Sequence, residues 1–331
     1  MTFNIALCTE ANSFVGMGHA VRCAGLLRLI EIPFKLTVIG IGETLREFFI
    51  DATHVQVDNW VTLDPAKINK SYDLLIADIP FYRPRDWNKL RIYSSNFVVI
   101  DDHGGSIPAD VIINGTILPE YHNYDNAHTS INIYKGAHYS LVRPEFSMNP
   151  WKGPDSSLVS ILVGSGDKAR DWIIDIAKIG ASQFNVEKVK IIVNRNFDTL
   201  NILHNFCKKG NIELYYGLSA IELADTLSNS TAALVTAGTG LYEAISTGVP
   251  VVAYPQIFDL VKEAAWFANL GACYDLTISQ PSPITASKAI NSLVKNKNAS
   301  IEMNKLQSLC LDGKGMIRAA KILSDILRNS K

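Results

Sequence analysis

Apolar residues in this chain gather in short runs rich in β-branched side chains, at residues 3–8, 34–39, 72–77, 97–100 and 111–113. The runs are continuous rather than alternating, the pattern of strands buried on both faces of a parallel sheet. Between them apolar positions follow helical spacing, as at Val21, Ala24 and Leu27. The series restarts at residues 158–163, 189–193, 212–216, 232–235 and 249–253, which predicts a second α/β unit. Residues 284–327 show helical spacing and no strand, so helices close the second unit. The last of them is a candidate to return to the first.

Between the two series, the segment from Arg143 to Pro154 holds Pro144, Pro150, Pro154 and Gly153. Such a composition disfavours regular structure and predicts an interdomain linker. The expected boundary lies near residue 153, giving an N-terminal α/β domain, 1–153, and a C-terminal one, 154–331. In doubly wound sheets ligands gather outside the carboxyl ends of the strands, so a cleft between two facing domains is the expected site.

Composition narrows the class without naming an activity. A length of 331 residues suits two domains, and a net charge of -1 gives no global attraction to nucleic acid or acidic membranes. Cys8, Cys23, Cys207, Cys273 and Cys310 form no Cys-x-x-Cys pair, so neither a disulfide framework nor a zinc site is expected, and a reducing, cytoplasmic setting is. The sequence predicts no leader and no membrane span. The histidines show no metal-ligand spacing, and no catalytic metal or other cofactor is expected.

Candidate chemistry sits where strands hand over to helices. In Gly16-Met-Gly-His-Ala-Val-Arg22 the glycines break the chain after the first strand and place His19 at a helix N-terminus. The positive end of the backbone dipole there favours neutral imidazole, which can act as a general base. Arg22, one turn on, lies on the same face and suits a phosphate. From this segment alone, His19 packing or capping the loop is an equal alternative. Asp101 and Asp102 follow the strand at 97–100, where a carboxylate can orient His19 or a sugar hydroxyl; capping a turn is as good an account. Asp78 ends another strand and is open to the same two accounts.

The second segment, from Ala232 to Pro250, reads strand, glycine turn, helix, glycine stop, strand. Backbone N–H groups around Gly238, Thr239, Gly240 and Leu241 form a ready site for a pyrophosphate, with Thr236 just before it. Glu243, one turn in, suits a ribose diol, or simply complements the helix dipole. Gly164-Ser165-Gly166 follows the first strand of the second unit and offers further amides, or only a turn.

These segments together resemble the PseG/SpsG-like UDP-sugar hydrolases of pseudaminic acid biosynthesis, within the GT-B group that includes MurG-type glycosyltransferases. The likeness spans nearly the whole chain. Besides the segments above it is carried by Tyr72-Asp-Leu-Leu-Ile-Ala-Asp78, Val99-Ile-Asp-Asp102, Gly136-Ala-His-Tyr-Ser-Leu-Val-Arg-Pro-Glu-Phe146 and Leu311-Asp-Gly-Lys-Gly-Met-Ile-Arg318. It implies a GT-B fold of two Rossmann-like α/β domains, and hydrolysis of a UDP-linked diacetamido-trideoxyhexose to UDP and free sugar on a route to nonulosonic acids. His19 would be the base for water attack at the anomeric carbon with inversion, aided by Asp101. Gly18, Arg22, Asp102, Arg143 and Gln256 would face the sugar, and the Gly164 and Gly238 segments with Glu243 would hold UDP. One departure is Pro255-Gln256, where the family carries Asn-Gln; Gln256 and Asp259 are the candidate replacements. Two other functions fit the same residues, an inverting glycosyltransferase and a UDP-sugar-binding module without catalysis.

Overall fold

The structure, a computed structural model, describes residues 2–12, 15–61, 68, 71–80, 83, 85–124, 131–162, 184, 186–193, 204, 207, 211–255, 258–279 and 282–330. They form two units: Met1–Leu141 with Lys314–Lys331, and Val142–Gly313.

The first unit is built on a seven-stranded sheet of order β3-β2-β1-β4-β5-β6-β7. Its strands are β1 (Phe3–Glu10), β2 (Phe34–Ile41), β3 (Thr53–Gln56), β4 (Leu74–Asp78), β5 (Phe97–Ile100), β6 (Val111–Asn114) and β7 (Asn132–Lys135), all paired in parallel. The central strands β4, β5 and β6 are buried throughout, because a parallel sheet covered on both faces leaves no solvent side. Edge strands β3 and β7 are half-exposed and carry no such run, which is why the sequence pattern alone misses them.

The C-terminal helix Gly315–Asn329 belongs to this first unit. Met316, Ala319, Ala320, Leu323 and Leu327 form its buried stripe and join Ile5, Leu7, Cys23 and Leu26 in one core. Gly315 makes the docking possible: a Cβ there would stand 2.3 Å from the carbonyl oxygen of Ser140 and 2.6 Å from its nitrogen. Backbone cannot yield as a side chain does, so Gly315→Ala is expected to lower stability by about 1–3 kcal/mol. An unchanged urea midpoint would contradict the close approach.

The second unit repeats the plan with β10-β9-β8-β11-β12-β13. Its strands are β8 (Leu158–Leu162), β9 (Lys188–Val193), β10 (Ile212–Tyr216), β11 (Ala232–Val235), β12 (Val251–Ala253) and the two-residue edge β13 (Tyr274–Asp275). All described pairings are again parallel. The order reverses between β1 and β4 in the first sheet and between β8 and β11 in the second, so each sheet has its crevice at those carboxyl ends.

The chain changes unit at Val142, ahead of the boundary expected near residue 153. The proline-rich stretch is part of the second unit rather than a linker. Pro144 occupies the first turn of a short helix, Pro144–Met148, where a missing N–H costs nothing. Trp151 then donates its backbone N–H to Thr247 O and its indole N–H to Ser230 O, and Lys152 N–H reaches Ser228 O. Prolines thus mark an irregular but anchored path.

Candidate functional site

The first crevice is organised around the loop joining β1 to the helix Gly18–Arg28. Asn12 builds the loop: its carbonyl accepts from Gly16 N–H, its Oδ1 accepts from Val15 N–H, and its Nδ2 donates to Glu10 Oε1. Gly16 takes φ +82°, a left-handed conformation that favours glycine. The turn delivers His19 into the first turn of the helix, as the spacing predicts, with Arg22 one turn on.

His19 Nδ1 lies 2.7 Å from Asp78 Oδ1 at the end of β4. Arg22 grips the same carboxylate in bidentate fashion, Nε to Oδ2 at 2.7 Å and Nη2 to Oδ1 at 2.5 Å. It grips Asp102 the same way, Nη1 to Oδ1 at 3.0 Å and Nη2 to Oδ2 at 2.8 Å. Asp78 is fully buried, and burial by itself would raise its pKa. The Arg22 charge, with His19 and the hydrogen bonds from both, outweighs burial and holds the carboxyl well below the usual range. Arg22 is pushed well above its ordinary value, the two carboxylates overcoming the opposite effect of burial. Asp102 is lowered for the same reason, Arg22 outweighing burial.

These charges fix the histidine tautomer. An ionised Asp78 has no proton to give, so the hydrogen in the 2.7 Å contact comes from His19 Nδ1. Arg22 Nη2 lies 3.3 Å from the same Nδ1, but both of its hydrogens point to carboxylates at shorter distance. In the neutral form of the ring, Nε2 then carries the lone pair. A neutral imidazole oriented through Nδ1 by a carboxylate is the arrangement of a general base.

The expected helpers take different places. Asp78, rather than Asp101, orients His19. Asp101 accepts from Tyr124 Oη at 2.7 Å, from Gly104 N–H at 2.6 Å and from His103 N–H at 3.2 Å, so it ties down the turn after β5. Burial raises its pKa, partly offset by the Tyr124 and Gly104 hydrogen bonds. Arg22, expected to meet a phosphate, is engaged by two carboxylates, and Asp102, expected at the sugar, is one of them. Gly18 opens the helix that carries His19. Sequence reasoning missed Glu10, buried at the end of β1 and held by Asn12 and by both Nε and Nη2 of Arg83. Its signal was available: Glu10, like Asp78, is an acidic residue closing a buried strand beside the sheet's crevice.

In the second unit, β11 runs into a sharp turn with Ala237 at φ +62° and Gly238 at φ +76°. The helix Thr239–Thr247 starts there with no side-chain cap; Leu241 N–H donates to Gly238 O at 2.9 Å, so of the expected amides those of Thr239 and Gly240 are the ones suited to an anion. Gly240 lets this helix lie close to β8, since a Cβ would come within 3.0 Å of Leu162 Cδ2. Thr236 is buried just before the turn. Glu243 is buried one turn on and accepts from Arg143 Nε through Oε1 at 2.7 Å. Burial raises its pKa against the opposing pull of Arg143. The two are thus partners in one ion pair, although they were expected to meet different parts of a substrate. Gly164, Ser165, Gly166 and Gln256, and the side chain of Asp259, lie outside the described residues.

Among the described residues, no helix is long and apolar enough to cross a membrane. No family model matches the chain. The spore coat polysaccharide biosynthesis protein SpsG of Bacillus subtilis (strain 168) is 26% identical over 329 residues, spanning 94% of this chain and 95% of that protein. Among solved structures, S. aureus MnaA in a co-structure with UDP superposes with a TM-score of 0.65 at 11% identity, over 98% of this chain and 97% of that one. Acinetobacter baumannii MurG gives 0.63 at 13% identity, over 99% of each chain. The calicheamicin glycosyltransferase CalG4 gives 0.63 at 13%, over 99% of this chain and 98% of its own. At these identities the structural likeness establishes the fold, two parallel-sheet α/β domains of GT-B type. The chain is thus similar to SpsG along nearly all of both chains and shares the GT-B fold.

Proposed function

We propose that this protein is a nucleotide-sugar hydrolase that cleaves a UDP-linked diacetamido-trideoxyhexose, or a close relative, to UDP and free sugar. The observation that carries the reading is the His19–Asp78 contact, which leaves Nε2 as the basic atom. In the proposed step Nε2 takes a proton from water while the water oxygen bonds to the anomeric carbon. The bond from that carbon to the UDP oxygen breaks, and its electron pair leaves with UDP. The amides at the start of Thr239–Thr247 would steady the diphosphate, and Glu243, fixed through Oε1 by Arg143, would take the ribose hydroxyls through Oε2. The relative's role in spore coat polysaccharide biosynthesis and the UDP in the MnaA structure support a nucleotide-sugar substrate.

The structural likeness to the calicheamicin glycosyltransferase supports a second reading, in which an acceptor hydroxyl replaces water at the same base. Incubation with candidate UDP-sugars and no acceptor separates the two. Equal release of UDP and free sugar, first seen as the inverted anomer, is the expected result. UDP release only with an added acceptor would mean a transferase, and binding without turnover would mean neither.

Glu243→Ala tests the nucleotide half. Loss of a charged hydrogen-bond partner is expected to weaken UDP binding by about 10- to 100-fold in Kd. Unchanged affinity by calorimetry would remove Glu243 from the ribose.

A further inference from the structure

Among the described residues, the charged groups linked to His19 by hydrogen bonds, directly or through Arg22, are Asp78 from the end of β4, Arg22 from its own helix and Asp102 from the turn after β5. Cys23 donates Sγ–H to Asp78 Oδ2 at 3.2 Å, and burial with the Asp78 charge keeps its thiol protonated. Two carboxylates and one guanidinium leave a single negative charge in excess. Uptake of one proton by His19 cancels it. Without Asp102 the cluster would start neutral and end with an uncompensated positive charge in a largely buried place, which is costly.

We propose that Asp102, acting through Arg22, is a positioning residue that sets the proton affinity of His19 by leaving the cluster with one negative charge in excess. Asp102 bonds Arg22 through both oxygens and is a third exposed, so it can be changed with less disturbance than Asp78. Arg22 cancels one carboxylate and no more.

The test is an NMR titration of the His19 ring, assigned by its absence in His19→Asn, in the wild type, Asp102→Asn, Arg22→Gln and Arg22→Lys. Asp102→Asn is expected to move the titration midpoint down by about half to one pH unit, and Arg22→Gln to move it up by about as much. Arg22→Lys, which keeps the charge, should stay near the wild type. Opposite shifts from two neighbours are not what a merely structural role produces. The acid limb of kcat/KM should move with the midpoint in each variant. An Asp102→Asn midpoint that is unchanged or raised would overturn the assignment, and this arm decides alone if Arg22→Gln does not fold. For turnover the idea rests on His19 being the base, whereas the titration needs no substrate. Absence of hydrolysis by the wild type would therefore sink the hydrolase reading and leave the charge assignment standing or falling by NMR.

Discussion

Replacement of His19 by asparagine should cut turnover of the UDP-sugar by about 10² to 10⁴ while leaving UDP binding nearly intact. The reason lies in the geometry of the ring. Asparagine can still offer a polar group to Asp78, but it has no lone pair basic enough to take a proton from water. The nucleotide grip proposed at Gly238 and Glu243 belongs to another unit of the chain and does not use His19. Turnover should therefore fall through kcat, with the Kd for UDP from calorimetry as the control. Ordinary turnover in this variant would remove His19 from catalysis. A large loss of UDP affinity would place the ring at the nucleotide instead.

Asp78→Asn should be damaging in two separable ways. An amide in place of the carboxylate removes the charge that makes Nδ1 the protonated nitrogen of His19, so the basic atom is no longer reliably Nε2. A further loss in kcat of about 10² to 10⁴ is expected, the range attributed to general-base catalysis. The second effect is on stability, because Arg22 loses one of the two carboxylates that make its burial tolerable. Breaking such a buried pair on one side costs about 3–5 kcal/mol, which a urea melt resolves easily. The pH dependence has a definite sign. The folded-state pKa of Asp78 is depressed, so its contribution is complete above the unfolded value and is lost as pH falls toward the folded one. The part of the gap between wild type and Asp78→Asn that comes from the Asp78 carboxylate should thus shrink below about pH 4. A gap that widens as pH falls below about 4 would contradict the ion-pair account.

Much of the fold was legible in the chain because parallel strands buried on both faces leave unbroken apolar runs. β1, β4, β5, β6, β8 and β11 all lie within or beside such runs. Strands β3, β7 and β13 were not legible: they are edges of two to four residues, partly exposed, and their pairing partner rather than their composition makes them strands. The stretch from Arg143 to Pro154 misled for a related reason. Prolines report a lack of regular hydrogen bonding, but they do not report whether the segment is anchored, and Trp151 and Lys152 anchor this one to the second unit.

At the site, sequence alone determined that His19 lies at the start of a helix after β1, that Arg22 shares its face, and that a glycine turn precedes Glu243. Each is a local consequence of glycine, helical periodicity and strand length, readable within a dozen residues. Only the tertiary structure decided what those side chains touch. Asp78 and Asp101 both end buried strands, and nothing local distinguishes them. The sheet order sets β4 beside β1, so Asp78 meets His19, whereas β5 lies one strand further out and Asp101 turns to Tyr124 and the backbone of its own loop. Likewise Arg22 and Arg143 were expected to face a ligand, and each is taken up by carboxylates from 56 to 100 positions away. Electrostatic partnership across such separations depends on strand order and helix docking, which no local pattern encodes.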